Sequence, residues 1–488
     1  MSDQDIQKNG LKALREQGWF WLVLALAFVL RLLYALSLDP LGQYITTGDA
    51  WWYLDHGYKL VQGTVAGPPP SAPLYLILPG IAQQLFGAGS AGAVIFLWVL
   101  QALMGAATSY FAYRLALALV GDRRAGLLAA AVLAVSPVFV MEAGQILTET
   151  LYIFLASGGL LAYVAWVSNA PSRRDTIDRV PTDPLPTGYR ENRFSPYAYP
   201  VLVGLILGLA TLTRAVLLLF PLGLALHLLL VFGFRPGLKR ALVMLVVYAL
   251  VCSTWTIYNL VRWDYPVIGA QGISAFLFIG SEGWKAPDEI DASLAATVGG
   301  GQLPSDPKDQ QQLYQEAAAQ SILGDIPGYL RRRAQDLTEA FLQPHGTVAF
   351  GGESLKALVG NWWTTDRTLG GLLRLTEGDQ FWPKLVIYLF YYTGVIAGLV
   401  GLWLTRRNWR VMLPLAGFIV YTLLVHFVLD ALPRYLFPIS MVWWVFAAVA
   451  LVAVWDKLRG RHRVAPVSRT PEGYPASAEA TFKNETNV

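Results

Sequence analysis

The sequence predicts an all-α polytopic membrane protein, and three observations carry that prediction. Of its 488 residues 55% are hydrophobic and only 14% are charged, a balance that a soluble fold has too little interior to hide. Apolar runs that reach or approach the roughly 20 residues a helix needs to cross a bilayer recur along the chain at 19–38, 91–120, 125–141, 147–167, 199–213, 216–232, 241–260, 383–404, 411–429 and 435–455. The 17 Trp and 23 Tyr are the third observation, because such amphipathic rings collect at membrane–water boundaries.

Taken in order, the first run contains Arg31 and ends at Leu38-Asp39-Pro40 without a small-residue cleavage site, so it reads as a retained anchor and not a signal peptide. The stretch 73–86 is short and carries Pro79-Gly80 in its middle. It fits a half-span, a re-entrant piece or an interfacial helix. With it, the expectation is a helix bundle of about 10–12 spans. Basic clusters then set the orientation. Provided 73–86 does not fully cross, Lys8, Lys12 and Arg15, Arg123-Arg124, Arg173 to Arg193, Arg235 to Arg240, Arg406 to Arg410 and Lys457 to Arg463 all fall on one side, which the positive-inside rule makes cytoplasmic.

The chain therefore divides into a cytoplasmic N-terminus (1–18), a transmembrane core (19–260) with a first external loop at 39–90, an external loop domain (261–382), C-terminal spans (383–457) and a disordered cytoplasmic tail (458–488). The loop domain is too polar for lipid and too long for a connector. Within it 310–343 reads as two helical segments divided at Ile326-Pro327. The second carries Arg331, Arg332 and Arg333 beside Tyr329, Leu330, Leu337 and Phe341, a mix that suits a helix on the membrane surface or a solvated helix packed on the loop domain. The connector 168–195 and the tail are rich in small and polar residues and carry no motif.

Composition also excludes some functions. The single Cys252 lies within a span, so neither a disulfide nor a Cys-based metal site can form. The net charge of +4 is accounted for by the cytoplasmic loops and points to no nucleic-acid partner. His56 and His426 lack ligand spacing to other histidines and read as structural or supporting residues.

The most informative residue is Asp49, in Gly48-Asp49-Ala50-Trp51-Trp52-Tyr53 directly after the first span. A carboxylate at the end of a spanning helix meets both lipid-borne and soluble molecules. It can equally cap a juxtamembrane helix. Glu149 opens another span after Thr148, where negative charge also favours a helix N-terminus. Arg214 and Arg434 fall at the external ends of spans and Lys59 lies in the first loop. All three can bind phosphate or snorkel to the interface. Tyr53 and Tyr435 are sugar-stacking candidates or interface anchors.

These pieces occur in an order that resembles a known family. Asp49 and Tyr53, then Gly63, Pro68-Pro69-Pro70 and Ala72-Pro73-Leu74-Tyr75 are followed by Ser136-Pro137, Thr148-Glu149-Thr150, Gly208-Leu209-Ala210 with Leu212-Thr213-Arg214, a helical Ile326-Pro327-Gly328-Tyr329-Leu330 and Pro433-Arg434-Tyr435. The series is similar to the GT-C fold glycosyltransferases that use polyprenyl-phosphate sugars, a class including protein O-mannosyltransferases and the lipid A aminoarabinose transferase. The resemblance implies a GT-C type bundle in the cytoplasmic membrane, a polyprenyl-phosphate-linked sugar donor, and a lipid, polysaccharide or protein acceptor met at the external face. It gives Asp49 the role of general base, an effect typically worth about 10²–10⁴-fold, and makes Glu149 a second acidic site residue. Arg214, Arg434 and Lys59 become candidates for the donor phosphate. Many family members pair acids in the first loop, whereas Asp49 is followed by Ala50; a divalent metal is therefore unsupported by a paired-acid motif and stays open. A secondary transporter or flippase of envelope precursors is the alternative class, but it should show internal repeats and broken helices at midplane, and no repeat is visible.

Overall fold

In lipid every backbone polar group must find a partner inside the protein, which restricts an apolar chain of this composition to helices. The computed structural model describes residues 3–168, 197–270, 272–283, 287–297, 304, 306–351, 353–378 and 380–460. The expectations for 169–195 and for the tail beyond 460 lie outside the described residues. Among them no strand occurs.

In chain order the helices are α1 (Asp3–Leu36), α2 (Gly48–Val61), α3 (Pro73–Phe86), α4 (Ala91–Val120), α5 (Arg123–Val135), α6 (Glu149–Ser168), α7 (Ala198–Thr213), α8 (Phe220–Phe232) and α9 (Phe234–Trp263). The loop domain follows with α10 (Ile273–Glu282), α11 (Pro287–Thr297), α12 (Pro307–Gly324), α13 (Ile326–Leu342), α14 (Leu355–Thr365) and α15 (Leu369–Arg374), and the chain returns through α16 (Phe381–Thr405), α17 (Trp409–Val428) and α18 (Ile439–Leu458).

Among the described residues eight single helices are long and apolar enough to cross a bilayer, or nine if one bent pair counts as a span; of the ten runs expected, two are not single helices of that length. The run 125–141 breaks after α5 and turns by 58° into a short piece at Pro137, because proline lacks the N–H that would continue the ladder and disfavours helical backbone at the residue before it. The run 199–213 forms only the 16-residue α7, about 24 Å long against a hydrocarbon core of about 30 Å. The ambiguous stretch 73–86 becomes the 14-residue α3, shorter still.

The bundle is centred on α18, which packs on α16, α5, α4 and α17 and buries Met441, Val442, Val445, Phe446 and Val449. Around it α4 contacts α1, α5 and α6, and α6 contacts α7 and α17. The rim helices α1, α9 and α16 turn Leu33, Leu250 and Leu389 outward, as lipid-facing surfaces do. Inside the bundle Arg31 is 1% exposed and donates to the carbonyls of Leu133 (2.8 Å), Ala134 (3.3 Å) and Ala27 (2.8 Å). Leu133 and Ala134 close α5, where the proline break leaves carbonyls without helical partners.

The loop domain packs around Phe278, Leu294, Leu313 and Ala317. The three arginines of its α13 are split, with Arg331 exposed, Arg332 half-buried and Arg333 turned inward. Arg333 is fully buried and donates to the carbonyls of Gly280 (2.8 Å) and Phe427 (3.1 Å), while the Tyr329 hydroxyl donates to the carbonyl of Val428 (2.8 Å). Those last two carbonyls belong to the final turn of α17, so α13 caps a bundle helix and ties the loop domain to the core.

Candidate active site

Four chain segments deliver charged side chains to the loop-domain end of the bundle. Gly48 has φ +63° after an extended Thr47, a left-handed conformation that glycine adopts without steric cost, and this turn places Asp49 in the first turn of α2. There its negative charge suits the helix dipole. The helix is held against α3 by a mutual close approach: a Cβ on Gly57 would lie 2.4 Å from the Leu76 carbonyl oxygen, and one on Gly80 2.3 Å from that of Gly57.

Glu149 opens α6 directly after a pinned segment. Gln101 of α4 donates to the carbonyls of Ala143 (3.0 Å) and Gln145 (2.9 Å), and the Trp98 indole donates to Gly144 (3.0 Å). Arg214 follows the last residue of α7 in extended conformation. Arg434 sits in the single turn Pro433–Leu436 between α17 and α18.

These four side chains converge. Arg434 donates from one terminal nitrogen to Asp49 Oδ2 at 2.6 Å, and its Nε stands 3.1 Å from Glu149 Oε1, close enough for an ion pair but off the angle of a hydrogen bond. Arg214 donates to the same Glu149 oxygen at 3.0 Å. The cluster is graded in depth. The Glu149 side chain is 1% exposed, that of Arg214 10%, Arg434 29% and Asp49 56%, so an incoming molecule meets Asp49 first.

Aromatic rings wall the cluster. The Arg214 guanidinium carbon lies 5.2 Å from the Tyr435 ring centre and 5.7 Å from that of Tyr152, and Arg434 is 5.6 Å from Tyr435, distances suited to cation–π attraction. Tyr53 packs edge-on against Tyr75 at 5.1 Å. Burial raises the Tyr53 hydroxyl pKa and Glu149 adds to the rise, with Arg214 and Arg434 partly opposing it; the phenol stays neutral. Burial alone would lower the Arg434 guanidinium, but Glu149, Tyr435 and Asp49 outweigh it and its pKa is raised.

Of the residues singled out from sequence, Asp49, Glu149, Arg214, Arg434, Tyr53 and Tyr435 are therefore brought together, and Lys59 is not. It pairs with Asp55 at 2.7 Å two to three turns further along α2, about 15 Å from Asp49 by helical rise. Sequence reasoning missed Glu142, whose Oε1 meets His345 Nε2 at 2.5 Å across two hundred residues of chain, and Tyr152 beneath Arg214. No sequence signal joins Glu142 to His345; only the fold does.

Chemically, two carboxylates and two guanidiniums balance one another. That leaves no net negative charge to attract a divalent cation, and among the described residues no group of three His, Cys, Asp or Glu side chains forms a metal-ligand set. It does leave two planar forks, each matched to phosphate oxygens and each currently spent on a carboxylate.

No family model matches the sequence, and no curated protein sequence matches it. Solved structures do resemble the fold. The archaeal oligosaccharyltransferase AglB from Archaeoglobus fulgidus, in complex with an inhibitory peptide and a dolichol-phosphate, matches at TM-score 0.51 and 17% identity over 92% of this chain and 51% of its own. The apo form of the Archaeoglobus fulgidus oligosaccharyltransferase matches at 0.50 and 17%, over 90% and 51%. ArnT from Cupriavidus metallidurans bound to undecaprenyl phosphate is a looser match, at 0.37 and 14% over 91% and 80%, too low a score to argue a shared fold. The chain spans about half the length of the oligosaccharyltransferase structures, and over that span it has their GT-C type membrane fold.

Proposed function

We propose that this chain is a membrane glycosyltransferase that moves a sugar from a polyprenyl-phosphate donor to an acceptor hydroxyl or phosphate, with inversion at the anomeric carbon. The observation that carries the reading is the Asp49–Arg434–Glu149–Arg214 cluster at the open end of a GT-C bundle. In it an accessible carboxylate pairs with Arg434, and a buried one holds both Arg434 and Arg214, in a membrane-embedded fold. The dolichol-phosphate complex of the oligosaccharyltransferase neighbour supports a lipid-phosphate donor.

In the proposed reaction the donor phosphate takes hydrogen bonds from Arg214 and Arg434. Arg434 is thereby drawn off Asp49, whose freed Oδ2 accepts the acceptor's proton. The acceptor oxygen bonds to the anomeric carbon as the bond from that carbon to the phosphate oxygen breaks. Polyprenyl phosphate leaves with the bonding electrons, its charge stabilised by the two arginines. Glu149 remains the buried counter-charge that keeps both guanidiniums in place when the donor is absent.

The site is proposed to face outward from the cytoplasmic membrane, with both chain ends inside. A reporter fused after Val488 should be active only in the cytoplasm and one inserted near Gly300 only outside. Purified protein in nanodiscs, given a polyprenyl-phosphate sugar and an extract of envelope acceptors, should release polyprenyl phosphate. Absence of release with every hexosyl and pentosyl donor tried would sink the assignment.

A further inference from the structure

Besides the four charged groups, one side chain reaches the cluster only through a ring. His426 lies in the last turn of α17 and is 3% exposed. Its Nδ1 stands 2.8 Å from the Asp430 carbonyl oxygen; a carbonyl only accepts, so Nδ1 carries the proton. The imidazole stacks on Tyr435, with centroids 5.4 Å apart and planes 19° from parallel. Phe276 of the loop domain meets Tyr435 edge-on at 6.0 Å. Tyr435 in turn is the ring to which both guanidiniums are attracted.

We propose that His426 is a positioning residue: locked by the Asp430 carbonyl and stacked on Tyr435, it fixes the platform that holds Arg214 and Arg434 in register for an anionic headgroup. Two features make this more than core packing. The hydrogen bond spans the turn that carries the chain from α17 towards Arg434, so the ring orders backbone and platform together. The same segment is held by Tyr329 and Arg333 through the carbonyls of Val428 and Phe427, so the loop domain and His426 brace one stretch of backbone leading to Tyr435. The inference rests on the reading of the cluster as a lipid-phosphate site.

The test separates the two contacts. His426→Phe keeps a flat ring against Tyr435 but has no N–H for Asp430. His426→Asn keeps a donor near the Nδ1 position and loses the stack. His426→Leu loses both. Binding of polyprenyl monophosphate to the full chain in nanodiscs should weaken about ten- to hundredfold in His426→Leu, the scale at which misplacing a binding group is felt, and less in each of the other two. The acceptor KM should stay within about twofold of wild type in all three. Wild-type affinity in His426→Leu, or equal rises of donor and acceptor KM in the Phe and Asn variants, would overturn the proposal; if the Leu variant does not fold, those two variants decide it. If the wild-type chain binds no polyprenyl monophosphate, the lipid-phosphate reading fails by itself. The positioning role is then judged on phenylglyoxal modification of Arg434, expected to be faster in the Asn variant and contradicted by an unchanged rate.

Discussion

Arg31 and Arg434 are both arginines at the heart of a membrane protein, and they are held in opposite ways. Arg31 is 1% exposed and gives its hydrogen bonds to three backbone carbonyls, with no carboxylate among those partners. Arg434 is partly open and shared between two carboxylates, one of them more than half exposed. A carbonyl fixed in a helix end cannot leave, so Arg31 has one arrangement. Carboxylates on separate helices can trade a guanidinium for another anion, so Arg434 has at least two. The difference teaches how to tell a structural charge in a membrane from a chemical one: by whether its partners could be exchanged, more than by its burial.

The largest effect should come from the exchangeable side. Asp49→Asn keeps the shape and a contact to Arg434 but cannot take a proton. Turnover should fall by about 10²–10⁴-fold with polyprenyl-phosphate binding retained, as measured by single-turnover kinetics beside a binding assay. Near-normal turnover would remove Asp49 from the base role and leave the cluster as a binding site only.

Next are the arginines. Arg434→Ala and Arg214→Ala each remove a charged hydrogen-bond donor from a partly desolvated site and should cost on the order of 2–4 kcal/mol in transition-state stabilisation. The loss should fall on donor use more than on acceptor use, with lysine rescuing partly because a point charge lacks the fork. Varied donor and acceptor concentrations would show it. Wild-type donor dependence in both alanine variants would make them interface anchors.

The other half of the comparison breaks differently. Arg31→Leu strands the carbonyls of Leu133 and Ala134 at the proline bend, each unsatisfied group costing about 1–3 kcal/mol. Thermal unfolding in detergent should move down clearly while turnover per folded molecule holds. If instead the variant is stable and inactive, Arg31 belongs with the cluster and the distinction drawn here is wrong.

Much of this was legible in the sequence, for a physical reason. Glu149, Arg214 and Arg434 each sit where an apolar run begins or ends and Asp49 lies in the loop that follows the first run, and a bundle brings such ends to one of two surfaces. Charges at run ends on the same side must therefore be neighbours in a loose sense. What could not be read was pairing. Nothing in the order of residues says that Arg434 would bridge Asp49 and Glu149, that Glu142 would meet His345, or that His426 would lie against Tyr435. Nor did apolar length reveal the break at Pro137, where run 125–141 looks continuous by hydropathy; the motif order ends a span at Ser136-Pro137, and the proline's missing N–H and its restriction of Ser136 divide the run. Nor could the sequence say which basic residue of α13 turns inward: Arg333 is buried against the carbonyls of Gly280 and Phe427 and the Asp336 carboxylate, while Arg331 is exposed.

Lys59 supplies the smallest effect and the sharpest control. It shares the first loop with Asp49 and by sequence stands as a third donor-phosphate candidate behind the arginines, yet its side chain is 51% exposed and already occupied by Asp55 one helical turn away. An exposed pair of this spacing is worth about 0.3–0.5 kcal/mol, which is about a twofold change in an equilibrium constant. Lys59→Ala should therefore leave donor KM and turnover within about twofold of wild type, measured in the same assay that shows the arginine losses. A tenfold rise in donor KM would mean that the phosphate is read along the length of α2 and not at its start. In that event proximity to Asp49 would no longer define the site, and exchangeable partners would have to be sought around Asp55.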